Sequence, residues 1–378
     1  MSESKVKVLL ILPELDRGGP TLGAAALGCY LDSEKYEVTV GSLGTNVSAA
    51  KSMIDLLEHA GVQIHYFSIP GWIGLLQLRR IRSYVVYNHI EIVHSFGIRP
   101  DIVNYFLRAI ACTVGSVRGM LRQEYRLRYG WFIEKFFTTL HLAVLQRLDS
   151  VTALSQAMSN YLAEEGISAQ KITYIPNMID SAWYCQEANT VSSGKIKFES
   201  GVVHVGVVGS LIARKRVDLI IRAVVVLRQR GYNNVHVHII GDGPLLLDMK
   251  RLAWELHVAH VVTFHGFVEK SAPLMKNFDL IVLCSQSEGI PRVILEAMVL
   301  GKICIAADIP GINEVIDDGI TGYLFNGTSA DLAEKLLQAI KEIKKFDAEE
   351  IKSRIEVRYG AVHGAARMGE LYTRLVQS

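Results

Sequence analysis

Short β-rich apolar runs alternate along this chain with segments whose apolar residues recur at helical spacing. In the first half the runs Val6–Leu12, Glu37–Ser42, Val62–Phe67, Ile90–His94, Thr113–Val117 and Ser150–Leu154 read as strands, and Leu22–Leu31 reads as a helix between the first two. Strand, helix and strand joined by short loops imply right-handed crossovers and a parallel sheet covered on both faces. Ile179–Gly201 breaks the rhythm, and its polar, aperiodic core Gln186–Gly194 reads as a linker. The pattern then restarts with strands at Val202–Val208, Val235–Ile240, Val261–Phe264, Leu280–Cys284, Ile303–Ala306 and Gly322–Phe325. Helices are expected at Val217–Arg230, Leu245–Leu256, Pro291–Leu300 and Asp331–Lys344, with a last one over Ala361–Val376. The fold class is therefore α/β, with two Rossmann-like parallel-sheet domains, 1–180 and 181–360, expected to face each other across a cleft. Such a cleft is the usual place for a ligand.

Composition narrows the function. A chain of 378 residues exceeds what one hydrophobic core usually fills, and 50% apolar with 21% charged residues excludes a disordered or fibrous chain. A formal charge of +2 argues against a nucleic-acid binder. The charge is uneven, however: Gly71–Arg147 holds eleven basic and four acidic residues, a local +7 that leaves −5 for the remainder. The five cysteines are odd in number, scattered and without CxxC spacing, so neither a disulfide framework nor a zinc site is expected, and a cytoplasmic location follows. Lys5 and Lys7 precede an apolar run too short for a signal peptide, and no run of eighteen apolar residues occurs.

Three constellations carry candidate chemistry. Glu288-Gly-Ile-Pro-Arg-Val-Ile-Leu-Glu296 follows a strand, with Pro291 suited to the first turn of a helix. Glu288 then sits just before a helix N-terminus at a strand's carboxyl end, and Glu296 lies about 1.5 turns further on. Two carboxylates beside backbone N–H groups suit a ligand that carries both hydroxyls and phosphates. Singly, each glutamate reads as an ordinary cap or helical surface residue; the joint pattern with Gly289, Pro291 and Gly301 points to function. Gly209–Asp218 leaves a strand's carboxyl end with Arg214, Lys215 and Arg216, cations able to neutralise a diphosphate without a metal. Arg17-Gly-Gly-Pro-Thr-Leu-Gly23 follows the first strand and lets backbone approach a phosphate or sugar, although it is neither GxGxxG nor a P-loop. No DxD, HExxH or GxSxG is present, and of the scattered histidines only His94 is placed at a strand end facing the cleft, where it reads as structural.

Taken in order, these segments resemble the family-4 retaining glycosyltransferases of GT-B fold, the group 1 type. The resemblance covers nearly the whole chain: Arg17-Gly-Gly, Tyr174-Ile-Pro-Asn-Met-Ile-Asp180, Gly209–Asp218, Gly241-Asp-Gly-Pro244, Phe264-His-Gly-Phe-Val268, the E-x7-E pair Glu288 and Glu296, and Gly311 through Gly322. The resemblance implies transfer of a sugar from a nucleotide-diphosphate donor, UDP rather than GDP, with retention and without a metal or other cofactor. It assigns Lys215 to the leaving diphosphate, Glu288 to the donor sugar and Glu296 to the ribose. Gly18 and Gly19 would approach the diphosphate, and the backbone at Phe267 and Val268 the base. Gly289, Ile290, Pro291 and Arg292 complete the donor loop. The chain departs from the family at Ser210, where many members carry an arginine that Arg214 or Arg292 would replace, and at Arg118, where many carry a histidine facing the sugar. Glu288, Lys215 and Arg118 are the expected catalytic residues. The last helix, 361–378, would cross back onto the first domain.

Arg118–Arg147 interleaves basic and aromatic residues, and Trp72-Ile-Gly-Leu-Leu76 with Arg79 and Arg80 forms a second such patch. This is the pattern of helices lying at an anionic membrane surface, and the acceptor would then be a glycan or lipid-linked saccharide in cell-surface polysaccharide or lipopolysaccharide synthesis. Core packing of Trp131, Phe132 and Phe136 is the alternative. A non-catalytic GT-B protein that binds nucleotide sugar, or a nucleotide-sugar epimerase, competes with the transferase reading.

Overall fold

The computed structural model describes residues 5–15, 19–44, 54, 57–58, 60–69, 78–190 and 198–377. The chain divides into two compact units, Met1–Met178 with Tyr359–Ser378, and Ile179–Arg358.

The first unit is built on β1 (Val6–Leu12), β2 (Tyr36–Ser42), β3 (Gln63–Tyr66), β4 (Ile92–Phe96), β5 (Cys112–Val117), β6 (Ser150–Ala153) and β7 (Ile172–Tyr174). They pair in the order β3-β2-β1-β4-β5-β6-β7, and every pairing is parallel. β1 shows why its sequence is continuously apolar. Val8, Leu10 and Leu12 enter one core cluster while Leu9 and Ile11 enter another, so both faces are buried as parallel sheets require. The first cluster includes residues of the helix Gly19–Tyr30 together with Ala361, Ala365, Met368, Leu371 and Tyr372 of the last helix, Ala361–Gln377. Tyr372 is fully buried, and its hydroxyl lies 2.6 Å from Nδ1 of His94. His94 Nε2 in turn meets Ser116 Oγ at 2.8 Å. His94 is thus a satisfied core residue, and burial, with the nearby Arg118 charge, pushes its pKa down to about 3.

The second unit is a six-stranded parallel sheet in the order β10-β9-β8-β11-β12-β13. Its strands are β8 (Val203–Val208), β9 (Val235–Ile240), β10 (Val262–Gly266), β11 (Leu280–Leu283), β12 (Ile303–Ala307) and β13 (Gly322–Phe325). A ladder of imidazoles crosses three strands: His204 Nδ1 lies 3.0 Å from His238 Nε2, and His238 Nδ1 lies 3.1 Å from His265 Nε2. Burial, reinforced by the neighbouring histidines, pushes His238 down to about 3.

The stretch read as a linker requires a correction. Its first part, Ser181–Ala188, is a helix, because the Asp180 carboxylate accepts from Trp183 N at 2.9 Å as an N-cap and Tyr184 and Ala188 are buried. Residues 191–197 lie outside the described residues. Among the described residues no helix is long and apolar enough to cross a membrane, and none of the five cysteines is in a disulfide.

Candidate active site

The carboxyl ends of the second unit's strands gather the sequence-derived donor residues. After β8 the chain makes a short 3-10 turn over Ala213–Lys215, and after β11 a loop runs to the helix Arg292–Val299. One backbone and one side-chain contact zip these segments together. Gln286 N donates to Arg214 O at 2.9 Å, and Arg214 Nη1 donates to Ser287 O. Glu288 is thereby brought between two cations: Lys215 Nζ is 2.6 Å and Arg214 Nη1 3.1 Å from its Oε1. The Glu288 side chain is only 11% exposed. Burial alone would raise its pKa, but the charges of Lys215 and Arg214 outweigh that and hold it below the ordinary glutamate value. Two cations against one carboxylate leave a net positive charge next to a helix N-terminus, an arrangement that attracts a polyanion.

Arg216 does not join this cluster. The sequence grouped it with Arg214 and Lys215, but its backbone adopts φ +46° and its guanidinium turns back to Asp218, at 2.9 and 3.1 Å. Ser210 occupies the loop after β8, whose Leu211 N donates to Asp242 O at 2.9 Å. That loop is pressed against Gly241-Asp-Gly-Pro244. A Cβ at Gly241 would stand 1.9 Å from Gly209 O, so a side chain there is sterically excluded. Gly241 N also donates to Gly266 O at 2.8 Å, joining the end of β10, after which Phe267 is exposed and Val268 half-buried.

Pro291 is the N-cap of Arg292–Val299, Gly289 precedes it in the loop, and Ile290 is buried. One turn into the helix Arg292 Nε approaches Glu296 Oε1 at 3.6 Å. Of the two arginines expected to replace the missing partner at Ser210, Arg214 stands at Glu288 and Arg292 faces Glu296. Sequence reading placed Gly311 in a family motif but gave it no role at the site. Gly311 has φ +86°, and a Cβ on it would lie 1.8 Å from Gly289 O, so this glycine shapes the Glu288–Gly289 loop from the β12 side. Its position four residues after a strand end was the available signal.

In the first unit Arg118 follows β5 and donates from Nη2 to Gly19 O at 2.9 Å and to Asn177 Oδ1 at 2.6 Å. Gly23 makes room for it, since a Cβ there would meet the guanidinium at 3.0 Å. Gly19 is the first residue of its helix, while Arg17 and Gly18 lie outside the described residues. Arg118 and Gly19 thus form a common structure with Asn177, a link the sequence did not reveal. Among the described residues no three His, Cys, Asp or Glu side chains converge as a metal site.

Two parallel α/β units with cationic and carboxylate side chains at the strand carboxyl ends define a GT-B glycosyltransferase. The pattern described as Glycosyltransferase Family 4 matches residues 17–183 and that described as Glycosyl transferases group 1 matches residues 191–354, so the chain belongs to the family-4, group 1 glycosyltransferases. It is similar to the N-acetyl-alpha-D-glucosaminyl L-malate synthase of Bacillus anthracis, 29% identical over 206 residues, which span 52% of each chain. The match thus covers about half the length of that relative. The putative glycosyltransferase EpsF of Bacillus subtilis is 22% identical over 85% of this chain and 83% of its own. The fold is also that of the Anabaena protein HepE, crystallised in complex with UDP and glucose, with a TM-score of 0.79, 20% identity and coverage of 98% of this chain and 100% of that one.

Proposed function

We propose that this glycosyltransferase moves a sugar from a UDP-activated donor to a hydroxyl of a glycan or lipid-linked saccharide, with retention at the anomeric carbon and without a metal, in cell-surface polysaccharide or lipopolysaccharide synthesis. The observation that carries the reading is the Glu288 carboxylate clasped by Lys215 and Arg214 at 2.6 and 3.1 Å. On donor binding the two cations transfer their attention to the diphosphate, and the freed carboxylate accepts from sugar hydroxyls. As the bond from the anomeric carbon to the phosphate oxygen breaks, charge grows on that oxygen beside Lys215, Arg214 and the amides opening the helix Arg292–Val299. The acceptor oxygen bonds the same face of the sugar, and its proton passes to the departing phosphate. Glu296 would hold the ribose, and the backbone at Phe267 and Val268 the uracil. The UDP preference draws support from the HepE complex, and five cysteines without a disulfide favour the reducing cytoplasm.

The test is a thermal-shift screen of UDP, GDP and ADP with their sugars, because a ligand of the folded state raises the melting temperature. It is followed by product NMR with and without EDTA. UDP stabilisation, an unchanged anomeric configuration and EDTA-insensitive turnover support the proposal. Stabilisation by none of the nucleotides, or an inverted product, overturns it.

A further inference from the structure

The helical hairpin Leu121–Tyr129 and Trp131–Leu145 turns at Gly130 and exposes apolar side chains at its tip. A surface helix normally buries its apolar stripe and shows its polar face to water. Here the buried stripe carries Glu134, Thr138 and His141 near the tip and turns apolar only at Leu142, Val144 and Leu145. Thr138 Oγ1 donates to Glu134 at 3.0 Å, and His141 bonds Asp101 Oδ2 at 2.6 Å and the Tyr125 hydroxyl at 2.7 Å. The opposite face displays Leu127, Trp131, Phe132, Ile133 and Phe136, with Phe132 84% and Phe136 65% exposed. Rolling the helix to bury these rings would break the buried bonds from His141 to Asp101 and Tyr125. The aromatic display is therefore fixed by the packing beneath it.

The exposed charges around the display are net cationic, Arg126 and Lys135 against Glu124. Arg126 and Lys135 are exposed at the tip, Glu134 is buried, and Arg122 is held by Glu165, which caps the end of the helix Gln156–Glu164. Exposed Trp and Phe with a net positive charge beside them match the interface of a bilayer that carries negative headgroups. A second copy of this chain would bring like charges together. We propose that the hairpin tip docks the first unit on an anionic membrane surface, with Trp131, Phe132 and Phe136 entering the headgroup region and Arg126 and Lys135 facing lipid phosphates. This inference is independent of the donor chemistry. The Trp72–Leu76 patch lies outside the described residues and plays no part in it.

The test is flotation of the full chain with phosphatidylglycerol-containing and pure phosphatidylcholine vesicles, alongside sedimentation without lipid. The wild type is expected to float with the anionic vesicles and far less with the neutral ones. Trp131→Ala/Phe132→Ala should lower the anionic partition coefficient at least about tenfold, since each removed ring gives up its share of apolar burial. Lys135→Glu should weaken anionic binding alone. Because these side chains are exposed, unchanged melting temperatures will show that the fold is intact. No flotation with anionic vesicles, or flotation that the double substitution leaves untouched, overturns the proposal. So does a dimer that the double substitution dissolves, which would make a second copy the occupant.

Discussion

Replacing Lys215 by alanine separates the electrostatic account of the site from a merely structural one. Lys215 and Arg214 give the cluster one positive charge in excess of Glu288, and their side chains are 16% and 25% exposed. A unit charge about 4 Å from a developing phosphate charge is worth about 4 kcal/mol at an effective dielectric near 20. Loss of one well-placed donor in other enzymes costs roughly 2.7–4 kcal/mol. Lys215→Ala should therefore lower kcat by about two to three orders of magnitude. The fold should survive, because Arg214 remains 3.1 Å from Glu288 and keeps the buried carboxylate paired. A second readout comes from pH. The Glu288 carboxyl sits below its ordinary value because Lys215 and Arg214 overcome the effect of burial. With Lys215 gone burial weighs more, so the acid limb of the remaining activity should move to higher pH. The assay is UDP release and product formation across pH, with circular dichroism as the fold control. Turnover within threefold of wild type in a folded Lys215→Ala protein would refute the reasoning.

Other expectations follow from single contacts. Gly311→Ala places a methyl group 1.8 Å from Gly289 O at φ +86°, so turnover should fall more than tenfold, and the left-handed strain of about 1–2 kcal/mol should lower the melting temperature by several degrees. Tyr372→Phe leaves His94 Nδ1 without its 2.6 Å partner, and a loss of about 1–3 kcal/mol should appear in urea unfolding while turnover stays near wild type. His94 and His238 are both pushed down to about 3, so both stay neutral in the folded chain while the unfolded chain takes up protons below its ordinary histidine pKa near 6.5. Their stabilising effect is complete above that value and is lost as pH falls towards 3. Between pH 7 and pH 5 each should cost about 2 kcal/mol of stability, and a flat urea midpoint over that interval would contradict the sign.

The fold was legible because a parallel sheet writes itself in apolar runs. Val6–Leu12, Val235–Ile240 and Gly322–Phe325 begin and end where their hydrophobic runs do. β7 escaped notice, because Ile172–Tyr174 is a three-residue edge strand, and so did the helix Ser181–Ala188, whose start depends on the Asp180 cap more than on periodicity. At the site, residue type and strand-end position singled out Glu288, Lys215 and Arg214, whose side chains meet in space. Spacing could not tell which cation would turn away, since Arg216 leaves the cluster through its own backbone angle and the nearby Asp218. Nor could it reveal Arg118 with Asn177, 59 positions apart, because that contact exists only once β5 and the segment after β7 are assembled. The hairpin was ambiguous for a different reason. Periodicity reports that a helix has two faces, and the buried bonds from His141 to Asp101 and Tyr125 decide which of them points inward.

The last helix gives biosynthesis a particular order. Ala361–Gln377 supplies Ala365, Met368, Leu371 and Tyr372 to the core of the unit that begins at the other end of the chain. On the ribosome that unit must wait, with one wall of its interior open, until all of the second has been made. Ser95, Asp101 and His141 can find one another early, whereas His94 gains its phenolic partner only as the final residues emerge. A chain halted at residue 360 would carry a whole second unit and an N-terminal unit missing that wall, exposed to aggregation and proteolysis.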